Sequence, residues 1–173
     1  ESVGVGKRGG YYDQAGVVRD MIQNHALQLL TLTAMEPPVA LNATALRNEK
    51  VKVLEAIHPV EPGEVSAFSV RAQYRSKAGP TYRREEGVDP QSETATYAAL
   101  KLFVDNWRWQ GVPFYLRSGK LLKAKTTEIV VRFKRVPYLM FAKEYQGIRP
   151  PNTLNICIQP DEGIHLTFNT KLP

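Results

Sequence analysis

The sequence predicts an α+β fold, in which helices pack on one face of a predominantly antiparallel β-sheet. Two observations lead to this prediction. Apolar residues recur at helical spacing in two early stretches, and alternation typical of strands follows them. Helices grouped before strands favour segregated layers over repeated β-α-β units. The 173 residues suffice for one domain with a sizeable core, so we expect a single domain over residues 1–173.

The first helix is predicted over residues 16–35, after a glycine-rich approach that begins at Gly9. On an ideal helix of about 100° per residue, the apolar side chains share one side of the axis, and His25 lies near the middle of that arc. Composition alone favours a core histidine there over a catalytic one, because buried imidazoles normally find hydrogen-bond partners. The prolines at 37 and 38 end the helix.

A second helix is predicted over residues 44–57, where apolar residues again recur at helical spacing. Either Thr44 or Asn42 supplies a side chain suited to cap its first turn. The helix ends at His58-Pro59, and we expect His58 to be an exposed helix-end residue.

Strand patterns fill the remainder of the chain. Residues 65–74 alternate between apolar and polar side chains, as in a strand with one buried face. Residues 75–92 combine glycines and prolines with charges and predict an exposed loop. Residues 94–104 suit a strand or a helix. Further strands are predicted at 114–118, 128–133, 153–159 and 164–168.

The composition limits the classes of partner. A formal net charge of +6 favours anionic partners, but the basic clusters lack the interleaved aromatic residues typical of nucleic-acid binding.

Cys157 is the only cysteine, which excludes an internal disulfide. It indicates a small core residue in a protein of a reducing compartment. No apolar run is long enough to cross a bilayer. No His, Cys and carboxylate cluster has metal-ligand spacing, so we expect no metal.

Several blocks resemble the glucose-6-phosphate dehydrogenase family, in the same order. GGYYDQAGVVRDMIQNHALQLL is similar to the family's GGYFDxxGxxRDxxQNHxxQ. The others are AMEPP (34–38), RNEKVKVL (47–54), TATYAA (94–99), WQGVPFYLRSGK (109–120) and IQPDE (158–162). The resemblance implies an open antiparallel sheet domain with a dimer contact, and it favours a strand over residues 94–104.

The resemblance reverses the interpretation of His25. It implies that His25 is the base that takes the C1 hydroxyl proton when glucose 6-phosphate is oxidised to its lactone. Histidine suits this task because its ordinary pKa is about 6.5. The family's orienting aspartate for this histidine lies in an N-terminal part that the chain lacks.

Asp20 matches the family's carboxylate that binds sugar hydroxyls, with Arg19 and Asn24 as less favoured alternatives. Its structural alternative is a helix-surface residue near a helix N-terminus. On an ideal α-helix, residues five apart lie about 140° around the axis, so Asp20 and His25 should not face one pocket. A π-bulge would bring them closer, and we hypothesise one between Val17 and Leu29.

The resemblance implies three further substrate contacts. Lys120 matches a substrate-binding lysine, and Lys125 stands where the family has a second cation. Two ammonium groups are suited to hold a phosphate or hydroxyls by charge-assisted hydrogen bonds. Gln159 matches a glutamine that some members place against the substrate. Without the resemblance, these residues predict a basic loop end and a strand end.

The resemblance also implies NADP as hydride acceptor, bound by an N-terminal domain whose glycine-rich fingerprint is absent here. It implies a cytoplasmic homo-oligomer formed through the sheet. We therefore expect an internal piece of a longer enzyme, inactive alone. The rival hypothesis is a non-catalytic sheet domain for assembly or anion binding. The enzyme requires His25 and Lys120 to open onto one concave surface, whereas a His25 sealed in the core favours the rival.

Overall fold

The structure is a computed structural model that describes residues 2–75, 79–135 and 150–169. The chain divides into two compact units, residues 1–123 and 124–173, and each is described by itself below. Together they contain helices and antiparallel sheets, so the α+β prediction is confirmed. The single domain predicted from the sequence remains a prediction.

Four helical segments follow one another at the start of the first unit. They are a 3₁₀ turn (Gly6–Arg8), α1 (Gly9–Val17), a π-helix (Val18–Ala26) and α2 (Leu27–Ala34). The predicted helix is confirmed from Val17 to Ala34. Its predicted start is wrong, because α1 already begins at Gly9. At Gly9 a Cβ atom would lie 2.1 Å from the carbonyl oxygen of Glu86, so this glycine permits close packing.

A kink interrupts α1 at Gly16, one residue before α1 ends, and its φ of +66° lies in the left-handed region that favours glycine. The second predicted helix is α3 (Ala43–Glu55). Of its two candidate caps, Asn42 is the one used, since its side chain accepts a hydrogen bond of 2.9 Å from the Ala45 amide. His58 is exposed as predicted, and its Nδ1 lies 2.7 Å from Asp105 Oδ2.

The strand predicted at 65–74 is shorter than expected. A 3₁₀ turn (Pro62–Glu64) leads into α4 (Val65–Phe68), and only then does β1 (Ser69–Ala72) begin. A proline suits the first turn of a helix, and the Ser69 hydroxyl donates to the Val65 carbonyl oxygen at 2.8 Å. These local contacts outweigh the alternating pattern of the first four residues.

Three antiparallel strands form the sheet of the first unit, in the order β1, β2 (Tyr97–Leu102) and β3 (Phe114–Gly119). The strand interpretation of residues 94–104 is therefore confirmed. Helices cover one face of this sheet, as predicted, because one core cluster joins helical and strand side chains. Its members include Val17, Ile22, Leu30, Ala98 and Leu116.

The predicted exposed loop 75–92 is partly buried where the structure describes it. Tyr82 and Val88 lie in the core, and Tyr82 begins a 3₁₀ turn (Tyr82–Arg84). The Tyr82 hydroxyl donates to Asp13 Oδ1 at 2.7 Å, and the Ser92 hydroxyl donates to the same oxygen. The polar and charged composition of this loop suggested exposure. The half-buried Asp13 carboxylate on α1 nevertheless binds two of its hydroxyl groups and holds the loop against the helix.

The second unit contains β4 (Thr127–Arg132), β5 (Thr153–Gln159) and β6 (Gly163–Thr167), paired antiparallel in that order. Residues paired directly across strands share a face. One face carries only apolar side chains in the two central rows, Ile129–Ile156–Ile164 and Val131–Leu154–Leu166. The other face carries the rows Val130–Asn155–His165 and Arg132–Thr153–Thr167. His165 is exposed, and Cys157 is half-buried.

Candidate functional site

The π-helix (Val18–Ala26) carries both Asp20 and His25. The Leu27 amide donates to the Ile22 carbonyl oxygen, five residues back, as in a π-helix. A π-helix has more residues per turn than an α-helix, so a separation of five residues is close to one full turn. Asp20 and His25 therefore approach the same side of the helix axis. The π-bulge hypothesis is confirmed.

Asp20 and His25 differ in their surroundings. The Asp20 side chain is only 13% exposed, its Oδ1 lies 3.7 Å from Nη2 of Arg8, and it stands in the first turn of the π-helix. His25 is exposed. Its predicted place in the apolar arc assumed regular α-helical turns, and the π-helix rotates it out of that arc. His25 is therefore not sealed in the core, which removes the observation that would have favoured the rival.

Lys120 directly follows β3 and is unusually buried for a lysine, with 8% of its surface exposed. Its amide donates to the Thr96 carbonyl oxygen at 2.9 Å. Its Nζ lies 5.4 Å from the ring centroid of Tyr12, a cation–π distance. No local signal in the sequence links two residues so far apart in the chain.

Packing within the first unit places the Lys120 strand beside the helix of Asp20 and His25. β3 contacts the π-helix, and Leu116 of β3 belongs to the same core cluster as Ile22. The unit thus assembles an exposed imidazole, a largely buried carboxylate and a buried ammonium on neighbouring elements. Such a set can accept a proton and bind a polar, anionic molecule.

The alternatives to Asp20 lie on the same π-helix but are more exposed. Arg19 is exposed, and its Nη1 donates to the Gln14 carbonyl oxygen at 3.1 Å. Asn24 is exposed as well. Among the three, only Asp20 combines burial with a nearby cation, which supports its first rank.

Lys125 and Gln159 lie in the second unit, and both are exposed. Gln159 ends β5 and pairs with Thr127, the first residue of β4. Lys125 precedes β4 by two residues. The structure therefore brings Lys125 and Gln159 to the same end of the second sheet.

Three of the described groups with shifted pKa values lie around α1 and the loop that packs on it. Burial, followed by the Asp13 carboxylate, raises the pKa of Tyr82 far above its ordinary value. Burial and the Glu85 carboxylate raise the pKa of Tyr74 to about 12. Burial alone would raise the pKa of Asp13, but hydrogen bonds from Ser92, Tyr82, Asp89 and Thr94 lower it overall. These groups are mutually satisfied and hold the fold together.

Other candidate sites are few in the part of the chain that the structure describes. No group of three or more His, Cys, Asp and Glu residues is placed to hold a metal ion there. No described helix is long and apolar enough to cross a membrane. An open cleft of about 530 Å³ is bounded by segments 62–73 and 93–95, and none of the predicted site residues lines it.

Comparisons with known proteins give one consistent result. The family model described as glucose-6-phosphate dehydrogenase, C-terminal domain, matches residues 1–173. Glucose-6-phosphate 1-dehydrogenase of Treponema pallidum (strain Nichols) is 50% identical over 100% of this chain and 35% of that protein. The enzyme of Bacillus subtilis (strain 168) is 48% identical over 99% of this chain and 36% of that protein.

Solved structures agree. A crystal structure of glucose-6-phosphate 1-dehydrogenase from Mycobacterium avium matches 99% of this chain and 36% of that chain, with a TM-score of 0.88 and 40% identity. A glucose-6-phosphate dehydrogenase in complex with its substrate glucose 6-phosphate matches 100% of this chain and 34% of that chain, with a TM-score of 0.87 and 41% identity. The chain spans about a third of the length of these relatives. It belongs to the glucose-6-phosphate dehydrogenase family and corresponds to the C-terminal domain of that family.

Proposed function

We propose that this chain is the substrate-binding and assembly part of an enzyme that oxidises glucose 6-phosphate to 6-phosphoglucono-1,5-lactone with NADP. The observation that carries the proposal is the π-helix, which turns Asp20 and His25 toward one side while Lys120 lies at the end of the strand packed against it. The relatives named above are glucose-6-phosphate 1-dehydrogenases, and one solved relative binds glucose 6-phosphate.

In the proposed reaction, His25 accepts the proton of the C1 hydroxyl while the C1 hydride leaves for the nicotinamide of NADP. The carbon loses a hydride and is oxidised by two electrons, and the proton rests on the imidazole. NADP supplies the hydride acceptor and is bound by a domain outside this chain. The chain alone is therefore expected to be inactive.

Asp20, Lys120, Lys125 and Gln159 hold the sugar phosphate in this proposal. The Asp20 carboxylate accepts hydrogen bonds from sugar hydroxyls, which an ammonium cannot do. Lys120 and Lys125 provide charge-assisted bonds to phosphate or hydroxyl oxygens. Lys120 lies in a largely buried place, where such a bond is strengthened by the low local dielectric.

We further propose that the enzyme is a cytoplasmic homo-oligomer that assembles through the second sheet. On the apolar face, Ile164 is 71% exposed and Leu166 is 58% exposed. The described core of that face carries no charged side chain in its paired rows. An uncharged apolar patch is self-complementary, as a two-fold interface requires, so a second copy of the chain suits it.

The test of catalysis uses the full-length enzyme with His25→Asn. We expect kcat to fall by about 10²- to 10⁴-fold, while KM for glucose 6-phosphate stays within about threefold. The matched control is His58→Asn, which removes an exposed histidine of the same unit and should leave both constants unchanged. A His25→Asn enzyme with normal kcat would refute the proposed role of the base.

A further inference from the structure

Leu121, the residue after Lys120, has a strained backbone. Its φ is +54°, and it is the only non-glycine residue with a positive φ among those that the structure describes. Side chains that carry a Cβ atom crowd the backbone in this left-handed region, and bulky residues are genuine outliers there. Such strain persists only where the surroundings impose it, and it tends to occur at functional sites.

Contacts with two other segments impose this conformation. Gly119 pairs with Tyr97 in the first sheet, and a Cβ atom at Gly119 would lie 2.7 Å from the Tyr97 ring. The Lys120 amide donates to the Thr96 carbonyl oxygen at 2.9 Å, and the Leu121 amide donates to the Val3 carbonyl oxygen at 3.0 Å. The backbone is thus held by a separate contact at each of the three consecutive residues 119, 120 and 121.

We propose that Leu121 is a positioning residue, whose left-handed backbone fixes Lys120 in the orientation that receives the anionic sugar phosphate. The inference rests on the proposed substrate contact of Lys120. A lysine side chain has many rotamers, and ordering it on binding would weaken affinity. Burial of the Lys120 side chain and the Tyr12 ring near its ammonium limit that freedom beforehand, and the turn at Leu121 fixes the backbone that carries the side chain. Leu121 acts through Lys120 and does not touch the substrate itself.

The test compares Leu121→Ile with Leu121→Met in the full-length enzyme. Both variants keep the size and apolar character of leucine, but only isoleucine is branched at Cβ, which disfavours the left-handed region further. We expect Leu121→Ile to raise KM for glucose 6-phosphate about tenfold with kcat within about twofold. Leu121→Met should match the wild type, and Leu121→Asn should stay within about threefold because asparagine tolerates a positive φ.

Thermal unfolding of each variant separates positioning from simple stability. A lower melting temperature of Leu121→Ile with an unchanged KM would overturn the inference. If isoleucine prevents folding, Leu121→Ala is compared with Leu121→Asn in the same way. We expect the higher KM for alanine, and equal KM values would overturn the inference.

Lys120→Ala distinguishes this inference from the proposed function. A Lys120→Ala enzyme with normal KM would refute the substrate contact of Lys120 and the role of Leu121 with it. A raised KM for Lys120→Ala, together with equal KM values for Leu121→Ile and Leu121→Met, would refute the role of Leu121 alone.

Discussion

The two sheets of this chain differ in what covers their apolar faces. In the first unit, the π-helix and α2 bury Ile22 and Leu30 against Ala98 and Leu116. In the second unit, the apolar face of β4–β6 leaves Ile164 mostly exposed. A helix-covered sheet derives its stability from its own core, whereas an open apolar face gains stability when another surface covers it. Asp20 and His25, the proposed sugar contact and base, lie on the π-helix of the first unit, whose sheet is covered by its own helices.

The largest effect expected from this comparison is on the free energy of unfolding when one isoleucine of each unit is replaced by alanine. Ile22 is 2% exposed, so Ile22→Ala should lower the free energy of unfolding by about 2–5 kcal/mol through lost burial and a cavity. Ile164→Ala in dilute protein should cost less than about 0.5 kcal/mol. Denaturant unfolding measures both. At high protein concentration the cost of Ile164→Ala should grow, because association stabilises the folded state.

Equal costs for the two alanine variants at every concentration would contradict the contrast between the sheets. That result would mean that the apolar face of the second sheet is covered within a single chain.

The second effect concerns assembly. Leu166→Lys places a charge on the apolar face, and in a two-fold interface the charge is buried twice. We expect dimer dissociation to become about a hundredfold easier, as measured by analytical ultracentrifugation, because unpaired charges are costly to bury. The matched control is Thr167→Lys, which adds the same charge one residue along β6 on the polar face. Equal weakening by both variants would argue against an interface on the apolar face.

The difference between the sheets also explains how far the sequence could predict the structure. β3 to β6 and α3 follow from alternation and helical spacing, because each pattern is repeated over at least one full element. The pattern of β2 suits a strand or a helix, and only the family resemblance favoured the strand. Val65–Phe68 was misassigned because four residues fit either pattern, and a proline-led turn decided between them. The apolar face of the second sheet could be identified only from the register of β4–β6, which shows which residues lie on the same face.

The candidate site was predicted in its residues more fully than in its geometry. The resemblance supplied Asp20, His25 and Lys120, and the conflict between an α-helix and one shared pocket predicted the π-helix. No sequence pattern, however, foretold the Tyr12 ring beneath Lys120 or the left-handed Leu121. Both depend on contacts between segments far apart in the chain, which local propensity does not record.

A third prediction tests whether polar contacts also secure the first unit. Asp13 accepts hydrogen bonds from Tyr82, Ser92 and the Asp89 amide. Asp13→Asn removes the charge from this cluster and should cost about 1–2 kcal/mol at pH 7. Because folding lowers the pKa of Asp13, its stabilisation is present above the unfolded value and is lost as pH falls through the folded value.

The difference in unfolding free energy between wild type and Asp13→Asn should therefore shrink as pH falls below about 3.9, the ordinary pKa of an aspartate carboxyl. Denaturant unfolding between pH 7 and acid conditions measures it. Glu93→Gln, at an exposed carboxylate of the same unit, removes the same charge and should show no such difference. A pH-independent cost at Asp13 would refute the charge contribution.

The smallest effect separates local capping from packing within the first unit. The Asn42 side chain accepts the Ala45 amide and satisfies one free donor at the start of α3. Asn42→Ala should cost about 1 kcal/mol in denaturant unfolding, less than Ile22→Ala, because it removes one hydrogen bond and no core contact. Thr44→Ala, at the exposed alternative cap, should cost almost nothing. A larger loss at Asn42 than at Ile22 would mean that helix initiation, and not helix-to-sheet packing, determines the stability of this unit.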